Sequence, residues 1–281
     1  LPVVPSASAQ EKKAAPNYFE DSFPFQMACI NAAYPSNNTA MKGIAIRVGN
    51  DATVLFDTDL CRMAAGWTGG FVSSHGVAFD GAHGHHPAMV GNQKFGVGNG
   101  PGVAGPDGSF ADLRKEPYGP MNPAIAKWEG LFLNGNNVLL NYSVAGGTQV
   151  AEQPGSLDAG GQTVLTRTLR LSPPRHGFFI FKSRRTSEPF SIAVADVTGT
   201  ATSQAADDIT VVDNGTATRV SASGLPAGAG LALRDGRIVL QVPKGTPAST
   251  VKLALWSGPE ASAASVAGAA AKAADLADYT H

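Results

Sequence analysis

Apolar and polar residues alternate with a period near two along most of this chain, and Asn, Asp and Gly break the alternation at short intervals. Gly43 to Val48 (GIAIRV) alternates, Gly49-Asn50-Asp51 turns the chain, and Ala52 to Phe56 (ATVLF) returns. Such a pair predicts a β-hairpin with a loop slightly longer than two residues. Trp128 to Leu133 and Asn137 to Val144 flank Asn134-Gly135-Asn136, a second hairpin. Leu231 to Leu233 and Arg237 to Val242 bracket Arg234-Asp235-Gly236, a third.

Thr163 to Leu171 alternates most sharply, with Val164, Thr166, Thr168 and Arg170 on one side and Leu165, Arg167, Leu169 and Leu171 on the other. Gly177 to Lys182 (GFFIFK) is nearly all apolar and reads as a strand buried on both faces. Ser191 to Val197, Ile209 to Val212, Thr218 to Ala222 and Thr250 to Trp256 complete the set. The many short strands and their turn spacing predict an all-β, mainly antiparallel β-sandwich, or an extended form of one, rather than a parallel sheet with crossover helices.

Two stretches depart from this pattern. Residues 80–123 are dominated by Gly and Pro without periodicity. They read as a partly ordered surface excursion over one mouth of the β-fold, and as the natural place for a ligand site. Ala261 to Ala277 is Ala-rich, with Val266 and Leu276 its large aliphatics. It predicts a solvent-exposed C-terminal helix or linker. The expected domains are therefore a leader over 1–16, a β-sandwich over 17–258 and a helical linker over 259–281.

Composition narrows the class. The 21 basic and 22 acidic residues leave a net charge of −1, and no long run of either sign offers a nucleic acid the basic face it needs. No apolar run reaches the ~18 residues that would span a membrane. Abundant Gly (33) and Pro (19) with 15% charged residues suit a loop-rich exported β-domain. Ala7-Ser8-Ala9 before Gln10 fits a secretory cleavage site, or else the segment is a disordered leader. An abrupt polar ending at Asp275 to His281 suggests an N-terminal piece of a longer exported, periplasmic or extracellular protein. In such a compartment Cys29 and Cys61 could form a disulfide; the alternative is two buried thiols.

Candidate chemistry concentrates between Lys42 and Phe71. Asp57 and Asp59 stand two apart at a strand end, where an extended chain points both to one face. They could serve as an acid/base pair or hold a hard cation such as calcium. They could equally cap a turn with Arg62 as ion-pair partner. Trp67, followed by Thr68-Gly69-Gly70, could stack on a sugar face with Asp and Arg taking hydroxyls; Trp128 and Trp256 read as core. His83, His85 and His86 form a cluster that, with Asp80, could bind a metal, or could be solvated loop residues. The predicted ligand site is where Asp57, Asp59, Arg62 and Trp67 meet the excursion carrying His83 and His85. No nucleophile elbow, phosphate-binding loop, paired-His metalloprotease motif or c-type haem motif occurs, and no cofactor is expected within this segment.

Three segments together resemble a known family. They are KGIAIRVG…ATVLFDTDLCRMAAGWTGGF, FDGAHGHHPA and WEGLFLNGNNVLLNYSV…VLTRTLRL. They are similar to an uncharacterised N-terminal domain of very large exported bacterial proteins. In those proteins a propeller resembling glucose/sorbosone (quinone-type) dehydrogenases follows, often with c-type cytochrome modules. The resemblance runs from Tyr18 to His281. It implies a non-catalytic accessory domain of a quinone- or haem-dependent oxidoreductase, with the downstream propeller and cytochrome domains as partners; carbohydrate is a further candidate partner, from the reading of Trp67 and its polar neighbours. A glycan-acting enzyme using Asp57 and Asp59, and a purely structural assembly domain, are the alternatives.

Overall fold

The structure, a computed structural model, describes residues 22–49, 51–73, 87–98, 100–116, 118–174 and 187–278. The leader, the His83–His85–His86 cluster with Asp80, and the expected strand at 177–182 lie outside the described residues.

Strands form where the period of two predicts them. In chain order they are β1 (Phe25–Asn31), β2 (Thr39–Val48), β3 (Ala52–Asp57), β4 (Arg62–Thr68), β5 (Val72–Ser73) and β6 (Ala88–Met89). Next come β7 (Asn92–Gly96), β8 (Ala126–Asn134), β9 (Asn137–Val144), β10 (Thr148–Ala159), β11 (Gln162–Ser172) and β12 (Phe190–Asp196). The last are β13 (Thr200–Ala205), β14 (Asp208–Asp213), β15 (Thr216–Ser223), β16 (Gly230–Arg234), β17 (Arg237–Val242) and β18 (Ser249–Pro259). The β16–β17 hairpin turns on Asp235 and Gly236 at φ 49° and 74°, the left-handed pair that matches strand twist.

The strands make three sheets, ordered β5-β6-β1-β2-β3-β4-β7, β13-β14-β15-β18-β11-β10-β9-β8 and β12-β17-β16. Pairing is antiparallel except for the short β1–β6 contact. The protein is all-β, as its sequence predicts.

The first sheet curls. β4 and β5 are five places apart in its order, roughly 24 Å across if flat at about 4.8 Å per step. Yet only residues 69–71 join Thr68 to Val72, a span of at most about 14 Å. The sheet closes towards a half-barrel, and Ile30, Leu55, Ala65, Trp67 and Phe71 fill its interior. Its other face carries Ile44, Ile46, Val54 and Phe56. These pack against Leu140, Tyr142, Leu165 and Leu169 of the second sheet and Ile192 and Leu240 of the third, in one core. Covered on both sides, β3 is buried at every position.

The predicted faces of β11 hold: Val164 lies in the outer cluster, and Leu165, Leu169 and Leu171 in the main core. Arg167 shares that inner face. It donates from Nε to Glu152 Oε1 at 2.6 Å and from Nη1 to the Ala193 carbonyl at 3.1 Å, while Tyr142 donates its hydroxyl to Glu152 Oε2 at 2.6 Å. All three side chains are buried. Burial, joined by the Glu152 carboxylate, raises the Tyr142 phenol well above its ordinary pKa, so it remains a donor.

The C-terminal expectation needs correction. Residues Glu260–Val266 and Ala269–Lys272 form two short 3-10 turns, not an α-helix, with Gly268 at φ 68° between them. They are not solvent-exposed throughout: Val266, Ala269 and Ala270 pack with Trp256, Ala254 and Ala217 on the outer face of the second sheet. Side chains of that sheet take the carbonyls a longer helix would bond internally. Arg219 donates to Ala263, Lys252 to Ala273 and Thr168 to Ala274. An Ala-rich stripe lies flat on a sheet, and these anchors decide its path over helix propensity.

Among the described residues, no helix is long and apolar enough to cross a membrane.

Candidate functional site

The site is built around the β3–β4 connection. Asp57 ends β3, Arg62 begins β4, and the two are paired in register. Residues 58–61 make a tight turn, with Cys61 at φ 45°. The chain is therefore not extended at the carboxylates, which corrects the one-face expectation. Asp57 Oδ1 accepts the Asp59 amide at 3.1 Å, the local bond with which Asp commonly closes turns. Asp57 Oδ2 accepts from Arg62 Nη2 at 3.2 Å.

Arg62 is fully buried and ties three segments together. Its Nη1 donates to the Val97 carbonyl at 2.7 Å and to Asn38 Oδ1 at 2.9 Å, and Nη2 reaches the Thr39 carbonyl at 3.4 Å. Asn38 in turn donates to the Ala64 carbonyl at 2.9 Å. Burial pushes the Asp57 carboxyl above its ordinary range, and Arg62 opposes that shift. The guanidinium, with these acceptors, keeps its charge.

The described residues of the Gly/Pro-rich excursion, from 87 onward, seat on this turn and pack more closely than their composition implies. Val97, Val103, Ala104 and Met121 are buried, β7 extends the first sheet beyond β4, and Val103 bridges Ile192. Gly102 donates its amide to the Leu60 carbonyl at 2.8 Å. A Cβ there would stand 2.1 Å from the Cys61 carbonyl oxygen, so only glycine permits this approach. Met121 donates its amide to the Asp59 carbonyl at 2.9 Å, and Gly119 donates its amide to Asp59 Oδ2 at 3.0 Å. Lys42 approaches Asp59 Oδ1 at 3.5 Å from solvent.

Two clefts open where the excursion crosses the turn. One, of about 310 Å³, is lined by Thr39, Met41, Asp57, Asp59, Asp112 and Arg114 among others. The other, of about 440 Å³, includes Pro101, Asp112, Arg114, Tyr118, Met121 and Ile125. Asp112 and Arg114 belong to both and form the wall between them. Arg114 holds Asp112 through Nε, at 3.0 and 3.1 Å from the two carboxylate oxygens, and through Nη2 at 2.8 Å. These hydrogen bonds keep the Asp112 carboxyl below the usual carboxylate range. Tyr118 is exposed on the rim.

The sequence-predicted site residues divide. Asp57 and Asp59 line one cleft, and Arg62 lies behind it. Trp67 does not join them. It is fully buried in the half-barrel and donates Nε1 to the Gly70 and Phe71 carbonyls, each at 3.1 Å. Stacking on a sugar is excluded for it, because the closing chain covers the indole. Sequence reasoning missed Asp112, Arg114 and Tyr118. The signal was the charge cluster ADLRKEPY inside a Gly/Pro-rich stretch. Among the described residues, no group of three or more His, Cys, Asp or Glu could hold a metal ion.

Of the two alternatives for the cysteines, disulfide or thiols, the structure has the thiols: Cys29, half-buried, and Cys61, buried, are both free. Cys29 lies in β1, whereas Cys61 lies in the turn joining β3 to β4, with β2 between β1 and β3 in the sheet order, and Cys61 belongs to the main core. Burial, with the Asp57 and Asp59 carboxylates nearby, pushes the Cys61 thiol up to about 12. Alkylation of the folded protein near pH 8 is expected to modify Cys29 and leave Cys61 untouched until denaturant is added. Peptide mapping that finds the two linked, or equal labelling rates, contradicts this arrangement.

Residues 54–152 match the family described as DUF6797, a domain of unknown function, a stretch that takes in the β3–β4 turn, the excursion, the larger cleft and most of the smaller one. No curated protein matches the chain. Among solved structures it is similar to the periplasmic domain of Thermotoga maritima YidC, at 12% identity and a TM-score of 0.39, covering 78% of this chain and 84% of that one. It is also similar to a heparinase III (9%, TM-score 0.39, 79% of this chain and 35% of that one). A third is the heparan sulfate lyase HepC from Pedobacter heparinus (10%, TM-score 0.37, 85% and 36%). Likenesses this distant carry no argument about ligand or reaction.

Proposed function

We propose that this is a non-catalytic accessory domain of an exported oxidoreductase, and that it binds a short neutral carbohydrate across the two clefts. The observation that carries the binding reading is the Asp112–Arg114 pair standing between the clefts with Tyr118 on the rim. A carboxylate accepts and a guanidinium donates, which suits hydroxyls that do both, and a tyrosine ring offers an apolar face to sugar C–H groups. The lining carboxylates Asp57, Asp59, Asp112 and Glu116 are matched by Arg114 and Lys115 in the lining and by Arg62 and Lys42 on Asp57 and Asp59, which favours a neutral ligand over an acidic one.

The non-catalytic part rests on how Asp57 and Asp59 are engaged. An acid/base residue must reach a substrate proton. Asp57 uses one oxygen on the Asp59 amide and the other on Arg62, and Asp59 caps Gly119. The oxidoreductase parent rests on the sequence resemblance, and the parent gene read past His281 tests it: a propeller and haem motifs support it, and a stop codon soon after removes it.

One observation favours a glycan-acting enzyme instead. Asp57 has a raised pKa beside a second carboxylate, as a general acid would. Calorimetric titration of the chain with an oligosaccharide panel separates these readings. Binding without turnover is expected, with Tyr118→Ala weakening it by about 1 kcal/mol, near the value of one aromatic contact, and Arg114→Ala by about 1.5–3 kcal/mol, the value of a hydrogen bond to a charged group. Turnover abolished by Asp57→Asn establishes the enzyme. Absence of any binding leaves the structural assembly role.

A further inference from the structure

The chain has five methionines. Met63 and Met121 are buried, and Met89 packs against the half-barrel interior. Met27 and Met41 are exposed, at 52% and 40%. Both flank Cys29, the half-buried thiol.

The β1–β2 register brings the Cys29 and Met41 sulfurs together. Ala28 pairs with Gly43 and Ile30 with Ala40, so Cys29 alone faces Met41 and Lys42 across a bulge. Cys29 Sγ lies 3.6 Å from Met41 Sδ. Met27 precedes Cys29 by two residues on β1, and the period of two puts both side chains on one face. Thioethers contribute to folding when they fill gaps in a core; neither exposed methionine does so. Met41 also lines the smaller cleft, which opens this face to solvent.

We propose that Cys29 and Met41, with Met27 as third ligand, form a surface site for a soft monovalent cation, copper(I) or silver(I). Thiolate and thioether are the donors that select such ions over zinc, calcium or magnesium. Binding exchanges a proton for the metal: the Cys29 S–H bond breaks, an S–Cu(I) bond forms, one proton leaves to solvent, and copper stays in its +1 state. Because the thiol gives up its proton on binding, apparent affinity should rise with pH.

The test is anaerobic competition for copper(I) against bicinchoninate, using the full chain. Wild type should withdraw one equivalent. Met41→Leu should weaken competition at least tenfold and Met27→Leu several-fold. Cys29→Ser should abolish it. Leucine nearly conserves methionine's volume, and both positions are exposed, so these variants should fold; a thermal melt checks this. Silver(I) should also protect Cys29 from iodoacetamide in wild type and less so in Met41→Leu. The site is overturned if copper(I) stays with bicinchoninate, if Cys29→Ser still competes, or if Met41→Leu and Met27→Leu both compete as wild type does.

Discussion

Trp67→Ala is expected to destabilise the domain by roughly 3–5 kcal/mol, the usual cost of emptying a large aromatic site in a core. The indole is fully buried and is the largest side chain so enclosed. It fills the half-barrel with Leu55, Ala65 and Phe71, and its Nε1 serves two carbonyls of the chain that closes the sheet. Truncation leaves a cavity and strands those carbonyls. The loss should appear as a lower midpoint in chemical denaturation. A fall in sugar affinity with stability intact would instead place the indole in a binding site.

The second large effect is expected at Glu152 and Arg167. Glu152→Ala or Arg167→Ala leaves one buried charge without its counterpart, which typically costs about 3–5 kcal/mol. Arg167 then keeps only the Ala193 carbonyl, or Glu152 keeps only the Tyr142 hydroxyl. Replacing both residues together, as Glu152→Leu with Arg167→Met, should recover part of the loss: an apolar pair carries no desolvation cost, but the buried Tyr142 hydroxyl and Ala193 carbonyl lose these partners. Equilibrium denaturation of the two single variants and the double variant gives the coupling. Singles within about 1 kcal/mol of wild type would mean that water reaches the pair and screens it.

These two sites show where sequence reading succeeded and where it stopped. The period of two placed Leu165, Arg167, Leu169 and Leu171 on one face of β11, and they share it. Binary pattern treats Arg167 as a polar residue for solvent; its partner Glu152 comes from the neighbouring strand, in a register the pattern does not specify. At the candidate site, Asp57, Asp59 and Arg62 were legible as a polar cluster, and their turn-capping alternative describes them. Asp112 and Arg114 were not, because nothing local brings residue 112 to residue 59.

What the sequence by itself determined is local: the all-β class, most strand positions and the hairpin turns. A side-chain period of two and left-handed turn residues act over a few positions, so a short window contains the cause. The tertiary structure alone decided burial and partnership. Trp67 is core because residues 69–71 are too short to cross a flat sheet, which forces the sheet to curl over the indole. The Ala-rich end packs as 3-10 turns because side chains of the second sheet take its carbonyls. The clefts exist because Gly102 lets the excursion lie on the β3–β4 turn. Each depends on which distant segment covers a given face, and local alternation carries no record of that.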